Sequence, residues 1–338
     1  MVEFTGTHSF PKQGICIYCG SPHYAEGTSR RLGDEHTIPQ TIGGVFLLPH
    51  AVCRQCEVTT NLTENALYRG GFASVKRHFK FKGKKRSNRK DRSFIPIFDC
   101  SDPDNQVRID VPADEYPGIL LLMVPPAPKL INASWEPKCD IWSHWVNAGP
   151  LKAHGPNRKS IFDKYGTSKI ALVSTNMLAH ARAIAKIAHS TAIGLFGANS
   201  FDPLLTDFIL GRDDDNCYAF VGRSLLLEKH EAEIHIVDYR EVSVLGVRYL
   251  VARVRLFACL GSPSFDVVTG LLKPELERIE HARIAQHTPP DCDLCVGPVQ
   301  SFDPRTHKPV SNLPNITARD MSIPHQPAFF RVVINFSE

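Results

Sequence analysis

Cys16-Ile-Tyr-Cys19 and Cys53-Arg-Gln-Cys56 are two C-x-x-C pairs with 33 residues between them. Two thiolates three positions apart can hold one metal ion from a tight turn. Two such turns complete a closed tetrahedral shell of four sulfurs, the set that zinc prefers, with Zn–S of about 2.3 Å. In a short, turn-rich segment this shell replaces an apolar core, so the spacing predicts a zinc-centred unit over the first seventy or so residues. The remaining cysteines show no comparable pattern. Cys100, Cys139, Cys217 and Cys259 stand alone and read as small buried apolar residues. Cys292-Asp-Leu-Cys295, with His281 and His287 ahead of it, lies among prolines and reads as a loop rather than a second metal site. Paired cysteines used for metal, not disulfides, suit a reducing compartment, so a cytoplasmic protein is expected. Residues 1–14 lack the basic and apolar segments of a secretory signal. The longest apolar run, Ile119–Val124, is far short of the roughly 20 residues that cross a bilayer.

The net charge of +4 is unevenly placed. Residues 76–92 hold ten lysines and arginines against one acid, Asp91, and the rest of the chain is mildly acidic. Lys76, Arg77, Lys80, Lys82, Lys84, Lys85, Arg86 and Arg89 are the candidate phosphate contacts, because clustered cations release counterions on binding nucleic acid. Phe79 and Phe81 alternate with lysines over residues 78–82, a pattern that predicts a short strand; either ring could stack on an exposed base or point into a core. Such contacts position a nucleic acid without reading its sequence.

From about residue 94 the chain reads as a separate α+β domain. Strands are expected over Ile119–Val124, which Pro125-Pro126 stops, and over residues 219–221, 233–237, 247–259, 265–268 and 329–336. The clearest helix spans residues 175–195, with Ser174 as a candidate cap and Leu178, Ala181, Ile184, Ala185, Ala188 and Ala192 near helical period. Arg182, Lys186 and His189 form a stripe on it that reads as a solvated face. Asp213-Asp-Asp215, beside Gly211 and Asn216, reads as a turn.

Between the cysteine pairs lies Gly33-Asp-Glu-His-Thr-Ile-Pro-Gln-Thr-Ile-Gly-Gly44. A carboxylate directly before a histidine, then proline and a Gly-Gly pair, resembles the HNH endonuclease family, in particular its zinc-knuckle members. The resemblance covers about residues 16–67. It implies a β-hairpin followed by a helix with a divalent metal between them. Local patterning agrees: residues 30–37 suit a first strand, Gly43-Gly44 a turn and residues 45–48 a second strand. A helix from near Cys53 would then set Val58, Leu62 and Ala66 on the face toward the hairpin, with Glu57 and Asn61 on a neighbouring face.

By that resemblance His36 is the general base, Glu35 the metal ligand before it, and Glu57 and Asn61 further ligands. Oxygen donors of this kind suit Mg²⁺ or Mn²⁺. Two positions depart from the family pattern. Glu57 stands where Asn or His is usual, and the second strand lacks the Asn that orients the histidine, leaving His50 as its candidate substitute. The expected fold is therefore α+β: an N-terminal ββα-metal module with a four-cysteine zinc knuckle (1–71), a basic segment (72–93) and a separate α+β domain of unassigned role (94–338). The expected activity is metal-dependent hydrolysis of phosphodiester bonds in DNA, with RNA a possible substrate of the same site. The alternative is a non-catalytic zinc-dependent protein that binds nucleic acid or assembles complexes.

Overall fold

The computed structural model describes residues 2–4, 8–69, 72–79, 81, 94–99, 102, 105–112, 119–132, 140–145, 165–166, 169–173, 176–226, 231–274, 279, 281–287, 300–303, 308–309, 316–319 and 331–335. In chain order the strands are β1 (Val2–Phe4), β2 (His8–Ser9), β3 (Gly33–His36), β4 (Phe46–Val52), β5 (Phe94–Asp99), β6 (Val107–Pro112), β7 (Ile119–Val124), β8 (Asp140–Trp145), β9 (Lys169–Val173), β10 (Phe201–Pro203), β11 (Val221–Arg223), β12 (Glu233–Val244), β13 (Val247–Leu256), β14 (Phe265–Leu272), β15 (Ala282–His287), β16 (Gln300–Asp303), β17 (Lys308–Pro309), β18 (Ile316–Arg319) and β19 (Arg331–Asn335). The helices that bear on the site are α1 (Arg54–Arg69), α2 (Ala73–His78) and a long helix, Met177–Phe196. The class is mixed α+β, and among the described residues no helix is long and apolar enough to cross a membrane.

Contacts divide the chain differently from the expected boundaries. One compact unit joins residues 1–66 to 124–138 and 178–290; the other comprises 67–123, 139–177 and 291–338. The cysteine-bearing segment is thus built into a larger body, and the reason is chemical. Side chains far along the sequence donate hydrogen bonds to carbonyls in its turns and at the end of β3. The His189 Nε2–H donates to the Ile17 carbonyl (2.8 Å), and Lys186 Nζ to that of His36 (2.7 Å). His235 reaches the Ile42 carbonyl (2.9 Å) and the Gln286 amide that of Gly43 (2.6 Å). Buried carbonyls need such donors, and the tight turns offer them no ladder partner.

In this first unit a seven-stranded sheet runs β1-β15-β12-β13-β14-β10, with β11 also on β14. The long helix packs against it through Tyr239, whose hydroxyl donates to the Ala188 carbonyl at 2.5 Å, and through His180 edge-on to Phe265. Its other side meets the N-terminal segment, where a Cβ at Gly194 would fall 2.7 Å from the Phe10 ring. Packed on two sides, the helix buries Lys186, His189 and His180 along with its alanines and isoleucines. The Arg182, Lys186, His189 stripe is therefore not a solvated face: Lys186 is 3% and His189 0% exposed, and Arg182 pairs with Asp214. The opposite sheet face carries an in-register row of alternating charge, Arg283, Asp238, Arg253 and Asp266. A recess of about 180 Å³ there faces arginines with carboxylates and reads as a structural ladder.

The second unit holds two sheets, β17-β16-β8-β7 and β18-β19-β9-β5-β6. Where a strand was expected over residues 78–82, helix α2 ends instead. Phe79 is buried there, with Phe81 stacked on it at 5.4 Å, so the Phe79 ring serves packing. Lys76 lies half-buried on α2; Lys80, Lys82, Lys84, Lys85, Arg86 and Arg89 fall outside the described residues, as do Cys292, Cys295, Cys100, Cys139 and Ser174. Cys217 and Cys259 are buried, as their isolation suggested.

Candidate functional site

The site begins with two turns and a hairpin. β3 and β4 pair antiparallel, with Glu35 opposite Leu48 and His36 opposite Leu47; β2 adds in parallel to β4. The hairpin connection is tight. Gly43 caps the short turn at φ 90°, and Gly44 passes so close that a Cβ would lie 1.8 Å from the Ile38 carbonyl oxygen, which only glycine permits. α1 leaves β4 directly at the second cysteine pair.

The four sulfurs of Cys16, Cys19, Cys53 and Cys56 lie within 4.8 Å of one another. Cys19 and Cys53 are 3.7 Å apart, against an edge of about 3.8 Å for a tetrahedron with 2.3 Å Zn–S bonds. Gly20, at φ 73°, lets the first turn close with its amide on the Cys16 carbonyl (2.8 Å), and the Ile17 amide ties that turn to Ala51 (2.9 Å). The Cys56 thiol lies beside Cys16 and holds it far below the usual thiol range, at about 4, while Cys56 is pushed up. Four clustered sulfurs, three of them on buried cysteines, are a donor set that a divalent ion of zinc's kind completes. The set fits zinc.

α1 turns a different face to the body than the pattern implied. Cys56 must face the sulfur cluster, so Thr60, Glu64 and Leu67, at helical spacing from it, follow inward. Val58 is two residues on, about 200° around the helix, and faces out. Val58 and Leu62 are 53% and 67% exposed, and Ala66 is exposed too. Thr59 and Thr60 hydrogen-bond back to Gln55 and Cys56 carbonyls, which accommodates two poor helix formers.

The expected acidic ligands have other partners. Glu57 accepts a hydrogen bond from the Tyr24 hydroxyl (2.8 Å), and Asn61 is exposed one turn on. Glu35 is buried and pairs with the Lys186 ammonium, which also holds Glu64 at 2.6 Å. Among the described residues, the four cysteines are the one group of three or more His, Cys, Asp or Glu side chains close enough to share an ion. In this structure the Glu35 carboxylate is engaged by Lys186 and that of Glu57 by Tyr24, and the two are not brought together in a shared ligand group. Burial pushes the Glu35 carboxyl up despite the facing lysine. Burial would lower Lys186, but Glu35 and Glu64 together outweigh it and hold the ammonium above its usual range.

His36 is half-buried at the end of β3. Leu47, not a polar residue, stands across from it, and the His50 backbone bends into the left-handed region (φ 53°) at an irregularity where its amide donates to Asp34 (3.0 Å). Asp213 is half-buried and bonded to Asn216 (2.7 Å), which places the triple aspartate in a turn.

Glu64, Tyr18 and Tyr24 are residues that sequence reasoning passed over, and Lys186 is one that it placed on a solvated face. Lys186 carried a signal, since a lone lysine between Ile184-Ala185 and Ile187-Ala188 needs an internal partner if the run is buried. Compared with family models, curated proteins and solved structures, the chain matches none.

Proposed function

We propose that the chain is a nucleic-acid phosphodiester hydrolase of the HNH type, with DNA as substrate, zinc as structural ion and His36 as general base. The observation that carries this reading is the succession of a hairpin bearing Glu35-His36 on its first strand and a helix that springs from the second cysteine pair. Four sulfurs around one ion would fix the start of α1 against the hairpin, which is how so short a segment can hold a reactive geometry. An imidazole takes a proton from water near neutrality. In the proposed step the water oxygen bonds to phosphorus, its proton passes to His36, and the bond from phosphorus to the leaving oxygen breaks. General-base assistance of this kind is worth roughly 10²- to 10⁴-fold. The basic residues 76–92 supply phosphate contacts in this reading, and the divalent ion is Mg²⁺ or Mn²⁺.

A second reading, a zinc-dependent protein that binds nucleic acid without cutting it, is favoured by one observation: Lys186 and Tyr24 engage both expected carboxylate ligands. Incubation of plasmid DNA with the zinc-loaded chain and Mg²⁺ or Mn²⁺ separates the two. The hydrolase reading expects metal-dependent nicking or linearisation that His36→Ala reduces by about 10²-fold or more. DNA retention in a gel-shift assay with no cleavage by either protein would establish the second.

A further inference from the structure

Three oxygens converge on one point among β3, α1 and the long helix: the carboxylates of Glu35 and Glu64 and the main-chain carbonyl of His36. Lys186 Nζ sits at that point. Its three protons serve the three acceptors, at 2.6 Å for Glu64, 2.7 Å for the carbonyl and in close contact with Glu35. With Lys186 3% and Glu35 6% exposed, this is a cation enclosed by hard oxygen donors rather than a solvated surface pair. Two carboxylates and a carbonyl are also donors that Mg²⁺ and Mn²⁺ take.

Charge and hydrogen bonding both leave the cluster incomplete. Two carboxylates around one ammonium carry a formal surplus of one negative charge, which a divalent ion in the same place would cancel. Beside them the Tyr18 hydroxyl is buried with no hydrogen-bond partner among the described residues, and Glu35 and Glu64 both act on it electrostatically. A hydrated ion carries the water that could reach such a hydroxyl; an ammonium does not.

We infer that Glu35, Glu64 and the His36 carbonyl form a hard-cation site for which the Lys186 ammonium and a divalent ion, Mg²⁺ or Mn²⁺, compete, with Lys186 holding the site while the ion is absent. As regulation of the catalytic centre this rests on the hydrolase reading; as a cation site it does not. Glu64 then replaces Glu57 and Asn61 as the partner of Glu35. Lys186 becomes a positioning residue that keeps the ion-free centre in order, and ion affinity is lowered by the fraction of molecules in which the lysine is seated.

The test is Mn²⁺ binding to the full zinc-loaded chain, read from the electron paramagnetic resonance of free Mn²⁺, so that no activity is needed. Lys186→Ala should bind Mn²⁺ about tenfold or more tightly than the parent, Lys186→Gln should show a smaller gain, and Lys186→Ala/Glu64→Gln should lose it. Folded variants, with full zinc content, that show no gain would overturn the inference, as would a gain that survives in the double variant. If neither lysine variant folds, Glu64→Gln in the parent decides: weaker Mn²⁺ binding supports the site and unchanged binding removes it. His36→Ala keeps the main-chain carbonyl, so it should bind Mn²⁺ like the parent. A parent that never cleaves DNA yet shows the Lys186→Ala gain would therefore sink the hydrolase reading and leave the cation site standing.

Discussion

The N-terminal segment contains two cages, and they differ in where their parts come from. The sulfur cage uses four residues in two close pairs, each pair on a single turn, and suits an ion supplied from outside. The oxygen cage draws Glu35 from a strand, Glu64 from a helix and Lys186 from 122 positions beyond Glu64, and it brings its own cation. Local spacing suffices to order four thiolates around zinc because the metal supplies the bonds. A carboxylate pair with an internal ammonium gains little from its charges alone, because desolvation offsets most of the attraction, and it needs a body already folded around it. The first cage organises structure; the second depends on structure.

The largest break in this comparison should come from the sulfur cage. Cys53→Ser removes one of four ligands, and since structural zinc contributes on the order of 10 kcal/mol or more in isolated zinc modules, the variant should lose both its zinc and the ordered hairpin and α1. Elemental analysis with limited proteolysis reads this directly: one zinc per chain in the parent and little in the variant. Full zinc content in Cys53→Ser would remove Cys53 from the shell.

Next comes the oxygen cage. Lys186→Met leaves two buried carboxylates without a cation and should destabilise the chain by about 3–5 kcal/mol in urea unfolding. Glu35→Gln on that background should recover part of the loss. Equal loss in both would mean that packing, not charge, is what Lys186 provides.

Acid should act on the donors that bind the two turns to the body. Burial pushes His189 and His235 down to about 4, and each donates to a turn carbonyl. In the unfolded chain a histidine titrates near 6.5, so between about 6.5 and 4 the unfolded state binds more protons. Stability is therefore full above about 6.5 and falls as pH drops through this window, by about 1.4 kcal/mol per pH unit for each histidine. Urea midpoints from pH 7 to 5 measure it, and His235→Phe should flatten the slope. An unchanged slope would show that His235 is not held neutral.

The smallest effect sharpens the assignment of Glu57. Its carboxylate raises the Tyr24 phenol above its usual value, chiefly through their hydrogen bond. Glu57→Gln should bring Tyr24 back toward an ordinary phenol in ultraviolet pH titration, with at most a slight change in Mn²⁺ binding. Because the folded value is the raised one, the contribution of this contact is present below the unfolded phenol value and lost as pH rises through the folded value. A large loss of Mn²⁺ affinity would restore Glu57 as a ligand.

The sulfur cluster, the hairpin and the start of α1 were legible because their information is local: paired cysteines, a Gly-Gly turn and a helix that begins at the second pair. The long helix and strands β12, β13 and β14 of the seven-stranded sheet were legible from period and composition, whereas β1, β10 and β15 were not. Helix α1 was read with its face turned, since Val58 and Leu62 are the apolar residues a periodicity argument selects, whereas Cys56 sets the orientation through the cluster. The oxygen cage was legible only at Lys186, as a lone lysine in an apolar run, and its acidic partners were not. Nothing near Glu35 or Glu64 signals a lysine on a helix in the later half, and Lys186 looked solvated because its helix was read with one buried side instead of two.

The hydrogen bonds from His189, His235 and Gln286 to carbonyls of residues 17, 42 and 43 also have a consequence for synthesis. The cysteine-bearing segment is synthesised before these donors, and the last of them emerges roughly 220 residues later, a delay on the order of ten to forty seconds at about 5–20 residues per second. Throughout that interval the four cysteines, complete by residue 56, already offer a metal ion its full set of sulfurs. An early-bound ion would preserve the two turns until the chain that completes them has been made.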